Sequence, residues 1–164
     1  MTRTYPANGK FTKAQREIYQ LVLDAQKAAI AAMKPGVSWQ ELSKIASGTI
    51  MEGLFKLGII KEKTPQQLGR FYYHGLGHAV GLNVHDVGQQ MMEAGMLYTV
   101  EPGVYIAEGS EGVDPAYYNI GVRIEDVILV TAEGNKNLSM SAPREIAEIE
   151  ALMKQKGVGN LPIQ

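Results

Sequence analysis

The side chains best suited to chemistry in this sequence are three histidines and two glutamates. His74, His78 and His85 lie within a stretch of twelve residues and are the only histidines of the chain. Glu101 follows an apolar run and precedes Pro-Gly, while Glu125 lies inside a second apolar run. Charged side chains are rarely buried unless they are paired or bind a metal. One imidazole and two carboxylates are compatible with a site for Zn²⁺, Mn²⁺ or Co²⁺.

The same residue types also have ordinary structural explanations. A histidine among glycines is commonly a hydrogen-bonded loop residue, and Glu101 before Pro-Gly is typical of a turn. Arg123 and Glu125 alternate within a predicted strand, where such a pair commonly forms a cross-strand ion pair on a solvated face. Residue types alone therefore leave the metal site and the structural explanation both open.

Composition and absent motifs exclude several classes of function. The chain has 164 residues, no cysteine, and 16 basic against 17 acidic side chains, which predicts one domain without thiolate chemistry. A net charge of −1 argues against a nucleic-acid partner, and no apolar run approaches the roughly 20 residues of a membrane span. The sequence lacks His-Glu-x-x-His, a Gly-Lys-Ser/Thr phosphate loop and Gly-x-Ser-x-Gly. A cytoplasmic location is the default expectation.

Apolar spacing predicts the elements that position these side chains. Helical periodicity and a Thr12-to-Gln15 capping box predict a first helix, and further patterns predict a second helix, two strands and a last helix. In the last helix, Leu152 and Met153 are expected to face the core, and Gly157 is expected to end it. The predicted ranges, in chain order, are 12–33, 38–58, 97–100 with a continuation at 104–107, 122–131 and 143–157.

Three sequence blocks, taken together, resemble one enzyme family. They run from His74 to Asp86, from Tyr98 to Tyr105 and from Gly121 to Asp126: His-Gly-Leu-Gly-His-Ala-Val-Gly-Leu-Asn-Val-His-Asp, Tyr-Thr-Val-Glu-Pro-Gly-Val-Tyr and Gly-Val-Arg-Ile-Glu-Asp. In this order they resemble the Xaa-Pro aminopeptidase and prolidase branch of the pita-bread metallopeptidases, over almost the whole chain. The resemblance implies an α+β fold in which a curved, mostly antiparallel sheet carries helices on its outer face.

The resemblance also implies an activity and roles for six residues. The activity is metal-dependent hydrolysis of Xaa-Pro bonds in proline-containing peptides, as in aminopeptidase P. By motif position, the metal ligands are His78, Glu101 and Glu125, with Glu125 bridging two ions and Glu101 also moving a proton. The remaining residues position substrate, stabilise the developing oxyanion or orient a ligand carboxylate: His74, His85 and Arg123. Two alternatives stay open, an Xaa-Pro dipeptidase (prolidase) and a non-catalytic peptide-binding module on the same fold.

One part of the family pattern has no counterpart in this sequence. The family's two-ion site also uses two aspartates that precede the first helix, the second within Asp-x-Thr-Arg-Thr, and here Thr2-Arg3-Thr4 matches only the tail of that stretch. Residues 1–164 are therefore expected to be the C-terminal part of a single metallopeptidase catalytic domain, truncated at its N-terminal side. We expect at most one bound metal ion, impaired hydrolysis, and a homo-oligomer formed through an exposed sheet edge.

Overall fold

The first two helices each begin after a capping side chain, as the sequence predicts. The computed structural model describes residues 1–156, and helix α1 spans Lys13–Ala32. The Thr12 hydroxyl accepts a hydrogen bond from the Gln15 amide, and the Gln15 side chain accepts one from the Thr12 amide, so the predicted capping box is confirmed. Helix α2 spans Trp39–Lys56 and begins after Ser38, whose hydroxyl accepts from the amide of Glu41. Helix α3 (Pro65–Gly69) is a single short segment.

The described strands form antiparallel pairs only. They are β1 (Leu97–Val100), β2 (Gly103–Ile106), β3 (Ile120–Arg123), β4 (Asp126–Thr131) and β5 (Gly134–Asn137). One sheet has the order β1-β4-β5, and the other contains β2 and β3. Together with the helices, these strands confirm the predicted α+β fold class.

The predicted single strand at 122–131 is wrong, because it is interrupted at residues 124 and 125. Strand β3 ends at Arg123 opposite Gly103, and β4 begins at Asp126 opposite Val100. The same register continues across the gap, so β1–β2 and β3–β4 form one antiparallel ribbon with a two-residue interruption on each side. Pro102 contributes to this interruption because it has no N–H to donate.

The ribbon has one buried face and one face that is open to the site. Val100, Val104, Ile124 and Ile128 are all buried, with Val104 and Ile124 in the same cluster as the apolar face of α1. Within 122–131, the residues that alternate with the buried ones are partly buried or exposed. The alternation predicted for 122–131 is therefore confirmed even though the hydrogen-bonded strand is not continuous.

The last helix is shorter than predicted. Helix α4 spans Ile146–Leu152 and is preceded by Glu145 in an extended conformation. It does not start at Pro143, because the backbone is still extended at Glu145; Arg144, just before it, pairs with the buried carboxylate of Asp126. Leu152 is 39% exposed, and Met153, 37% exposed, follows the end of the helix, so their predicted inward orientation is wrong. The predicted end at Gly157 lies outside the described residues.

Among the helices of residues 1–156, none combines the length and the apolar character needed to cross a membrane.

Candidate metal centre

The centre is built on two glutamates that face each other across the ribbon. The register places Glu101 opposite Glu125, at the interruption between the two sheets. Their side chains are only 16% and 12% exposed. Like charges directly opposite each other on paired strands are destabilising, and the cost rises when water is excluded. A bound cation between them would remove this repulsion.

His78 reaches the glutamates because its segment runs beside β1. The Glu101 amide donates to the carbonyl of Leu76 at 2.7 Å, and the Thr99 amide donates to the carbonyl of His78 at 2.8 Å. This pairing brings the His78 Nε2 atom to 3.5 Å from Oε1 of Glu101. The two residues are 23 positions apart in the sequence, so backbone pairing, rather than local spacing, makes the contact.

The hydrogen bonding of the His78 ring leaves one nitrogen available for a metal. Its Nδ1 atom lies 2.8 Å from the carbonyl oxygen of Ala79. A carbonyl can only accept, so Nδ1 carries a proton, and in the neutral ring Nε2, on the Glu101 side, keeps its lone pair. Metal-binding histidines commonly donate their other ring N–H in this way.

The three side chains offer a donor set of the right size and charge for one divalent cation. One ligand atom each of His78, Glu101 and Glu125 lies within 4.8 Å of the others, and this is the one such group of three found in the described part of the chain. Metal–ligand bonds of about 2.1 Å place donors no more than about 4.2 Å apart, which small side-chain rotations would achieve here. Two carboxylates balance the charge of one divalent ion.

The Glu125 carboxylate is held in its ionised form by its neighbours. One oxygen lies 3.2 Å from the α-ammonium group of Met1, and the other accepts a hydrogen bond from the Thr2 hydroxyl. Partial burial raises the pKa of Glu125, but these hydrogen bonds and the positive charge outweigh it, so the net pKa is lowered. Glu125 is therefore available as an anionic ligand at neutral pH.

The other three predicted site residues border the same space. A cavity of about 400 Å³ is lined by His74, His78, His85, Glu101 and Arg123, among others. The ring of His85 lies 4.6 Å from that of His78, measured between ring centroids. The Arg123 Nε atom lies 4.0 Å from Oε2 of Glu101. The structure therefore brings together all six residues singled out from the sequence, since Glu125 adjoins His78 and Glu101.

His74 is held by a tyrosine for which no role was predicted. Its Nδ1 atom lies 2.8 Å from the carbonyl of Gly75, and its Nε2 atom lies 2.9 Å from the hydroxyl of Tyr105. Because the carbonyl only accepts, Nδ1 carries a proton, and in the neutral ring the Tyr105 hydroxyl donates to Nε2. Burial raises the pKa of Tyr105, which keeps this donor protonated.

Thr99 is a second residue of the site, after Tyr105, that sequence reasoning missed. Its buried hydroxyl accepts a hydrogen bond from the His78 amide at 2.9 Å and donates one to Oε1 of Glu101 at 3.1 Å. It thus orients two of the three candidate ligands. The available signal was its position two residues before Glu101, which places both side chains on the same face of a strand.

Comparison with known proteins decides the family. The model of metallopeptidase family M24 matches residues 1–132. The chain belongs to this family. It is 49% identical to the Xaa-Pro aminopeptidase of Haemophilus influenzae, in an alignment that covers 93% of this chain and 38% of that protein. With the Xaa-Pro aminopeptidase of Escherichia coli it shares 44% identity over 93% of this chain and 37% of that protein.

Solved aminopeptidase structures agree with the fold. A Pseudomonas aeruginosa aminopeptidase superimposes with a TM-score of 0.87 at 41% identity, covering 92% of this chain and 37% of that one. A zinc-substituted Escherichia coli aminopeptidase P, in complex with product, gives a TM-score of 0.86 at 45% identity, with the same coverage. The predicted pita-bread fold class is thereby confirmed, and the chain spans less than two fifths of the length of these relatives.

Proposed function

We propose that this chain provides metal ligands and substrate-facing residues of an Xaa-Pro aminopeptidase, which hydrolyses the peptide bond preceding proline. The single observation that supports this most strongly is the convergence of His78, Glu101 and Glu125 on one cation-sized space. The relatives cited above carry the name Xaa-Pro aminopeptidase, which favours this activity over that of a dipeptidase.

The proposed cofactor is one divalent cation, Mn²⁺, Co²⁺ or Zn²⁺, held by the three ligands. When bound, such an ion polarises the substrate carbonyl and lowers the pKa of water. The family's second ion would bring two more positive charges, while the three ligands carry only two negative ones. Since uncompensated charge is expensive in a partly buried site, we expect no more than one ion in this chain.

The chain's own residues supply proton transfer and charge stabilisation. Glu101, oriented by Thr99, would accept a proton from the attacking water and deliver it to the departing proline nitrogen. His85, exposed at the edge of the cavity, would donate a hydrogen bond to the oxygen on which negative charge develops. His74, which lines the same cavity, would position the peptide, with its ring fixed by Tyr105.

Calorimetric titration of the chain with Mn²⁺ or Zn²⁺ tests the proposed centre. We expect one site per chain and its loss in His78→Ala, because the remaining two carboxylates lack the third ligand. His74→Ala is the matched control, since it removes a histidine of the same cavity that is not a ligand. Two tight sites per chain, or unchanged binding by His78→Ala, would contradict the proposal.

Peptide hydrolysis distinguishes the candidate activities. With added Mn²⁺, an aminopeptidase should cleave an Xaa-Pro-Yaa tripeptide, whereas a dipeptidase should prefer the Xaa-Pro dipeptide. We expect slow cleavage of the tripeptide by this chain alone, because its donor set serves a single ion. Binding of the tripeptide without cleavage of either substrate would favour the peptide-binding module.

Two further expectations stay predictions. Size-exclusion chromatography tests the homo-oligomer, which a monomer at high concentration would contradict. Cell fractionation tests the cytoplasmic location.

A further inference from the structure

One fully buried polar side chain outside the centre connects to both of the segments that carry its glutamates. Gln26 lies in α1, and none of its surface is exposed. Its Nε2 atom donates to the carbonyl of Val100 at 3.1 Å and to that of Ile124 at 3.0 Å. Its Oε1 atom accepts from Nη1 of Arg144 at 3.0 Å. The buried amide thus has partners on both sides, as buried polar groups require.

The two carbonyls belong to the residues immediately before the candidate ligands. Val100 precedes Glu101, and Ile124 precedes Glu125, at the interruption of the ribbon. Within the interruption, the backbone hydrogen bond across the ribbon is long: the Ile124 amide donates to the Pro102 carbonyl at 3.4 Å. A primary amide carries two N–H groups, so one glutamine can bond a carbonyl on each side and bridge the gap.

We propose that Gln26 is a positioning residue that fixes the separation of Glu101 and Glu125. Helix α1 is 20 residues long and packs its apolar face into the core, which makes it a rigid reference for both segments. The inference rests on the proposed metal site for its chemical consequence. Its structural content, that Gln26 restrains the two segments, does not depend on a metal.

Two substitutions separate positioning from general stabilisation. Gln26→Met keeps the length of the side chain but removes both donors. Gln26→Glu keeps the size and the acceptor for Arg144, so it preserves that contact while its ionised form has no donor for the carbonyls. Gln20→Met is the matched control, because Gln20 lies on the same helix and bonds only the exposed Asp24 in the structure.

Amide hydrogen exchange, followed by NMR in the metal-free chain, tests the restraint. The reference is the Val130 amide, which lies outside the interruption. It donates a hydrogen bond of 2.9 Å to the Met96 carbonyl. In both Gln26 variants we expect the Glu101 and Glu125 amides to exchange at least about tenfold faster relative to Val130. The ratio corrects for a change in global stability. Ratios equal to those of wild type and Gln20→Met would overturn the inference.

Cobalt binding tests the consequence for the centre. We expect Gln26→Met and Gln26→Glu to bind Co²⁺ about 10- to 100-fold more weakly than wild type, the usual loss when a residue that orients ligands is removed. The visible Co²⁺ spectrum should also change, because it reports ligand geometry, while Gln20→Met should match wild type. Unchanged affinity and spectrum would overturn the positioning role. A wild-type chain that binds no Co²⁺ would contradict the proposed function, and the exchange ratios would still decide the role of Gln26.

Discussion

Asp126 is the buried charge on which the stability of this chain depends most clearly. Its side chain is completely buried, next to the candidate ligand Glu125 but on the opposite face of the ribbon. It pairs with Arg3 at 2.7 Å and with Arg144 at 2.5 Å, and it accepts a hydrogen bond from Asn137 at 2.6 Å. Two guanidinium groups therefore depend on one carboxylate.

The structure sets the expected cost of Asp126→Asn. Removing one partner of a buried ion pair costs about 3–5 kcal/mol, because an uncompensated charge stays buried. Arg3 keeps carbonyl acceptors, among them those of Ala142 and Glu125, and Arg144 keeps the side-chain oxygen of Gln26. These remaining bonds place the loss at the lower end of the range, about 3 kcal/mol.

Thermal and urea unfolding measure this loss. About 3 kcal/mol corresponds to a fall in Tm of roughly 6–12 °C for a chain of this size. Asp24→Asn is the matched control, because Asp24 is exposed on α1, and we expect its effect to stay within about 0.5 kcal/mol. A loss below about 1 kcal/mol for Asp126→Asn, with the control unchanged, would refute the view that this carboxylate compensates two buried guanidinium groups.

Three further predictions concern the centre and its surroundings. Gly77→Ala should destabilise the chain by about 1–3 kcal/mol in urea unfolding, because a Cβ there would overlap the Thr99 carbonyl, whereas Gly75→Ala should have little effect, since a Cβ there meets nothing within 4 Å. Thr99→Val should weaken Mn²⁺ binding at least about tenfold by calorimetry, because it removes the hydroxyl that orients two proposed ligands; unchanged affinity would exclude this role. Burial, with the hydrogen bond to Glu17, raises the pKa of Tyr117 to about 12, so its contribution to stability should be present below its ordinary pKa and lost as the pH rises through the folded value. Alkaline titration of phenolate absorbance, compared between the wild type and Tyr117→Phe, checks this. If the substitution removes a tyrosine that titrates at the ordinary pKa, the prediction is contradicted.

The candidate centre could be predicted from the sequence to the level of residues and family. The three blocks carry His78, Glu101 and Glu125 in the order and spacing of their family, and the structure brings these residues together. What the blocks do not contain is the support around them. Thr99 and Gln26 have roles only because particular carbonyls and amides lie next to them in the folded chain.

The local elements follow from patterns within short stretches of the sequence. Helix α1 begins at its capping box, and the alternation of apolar residues marked the buried face of the ribbon, because both signals act between residues close together in the chain. The last helix is shorter than predicted, and Arg144, just before it, pairs with Asp126, a partner 18 positions away.

The register and the interruption of the ribbon arise from contacts between segments that are distant in the sequence. Backbone pairing places Glu101 opposite Glu125 and His78 beside them, and hydrogen bonds from Gln26 occupy the carbonyls where the strands separate. Such pairing depends on which distant segment supplies each donor, and the identities of the neighbouring residues carry no information about that partner. The candidate metal ligands can therefore be identified from the sequence, whereas their convergence depends on how the chain packs.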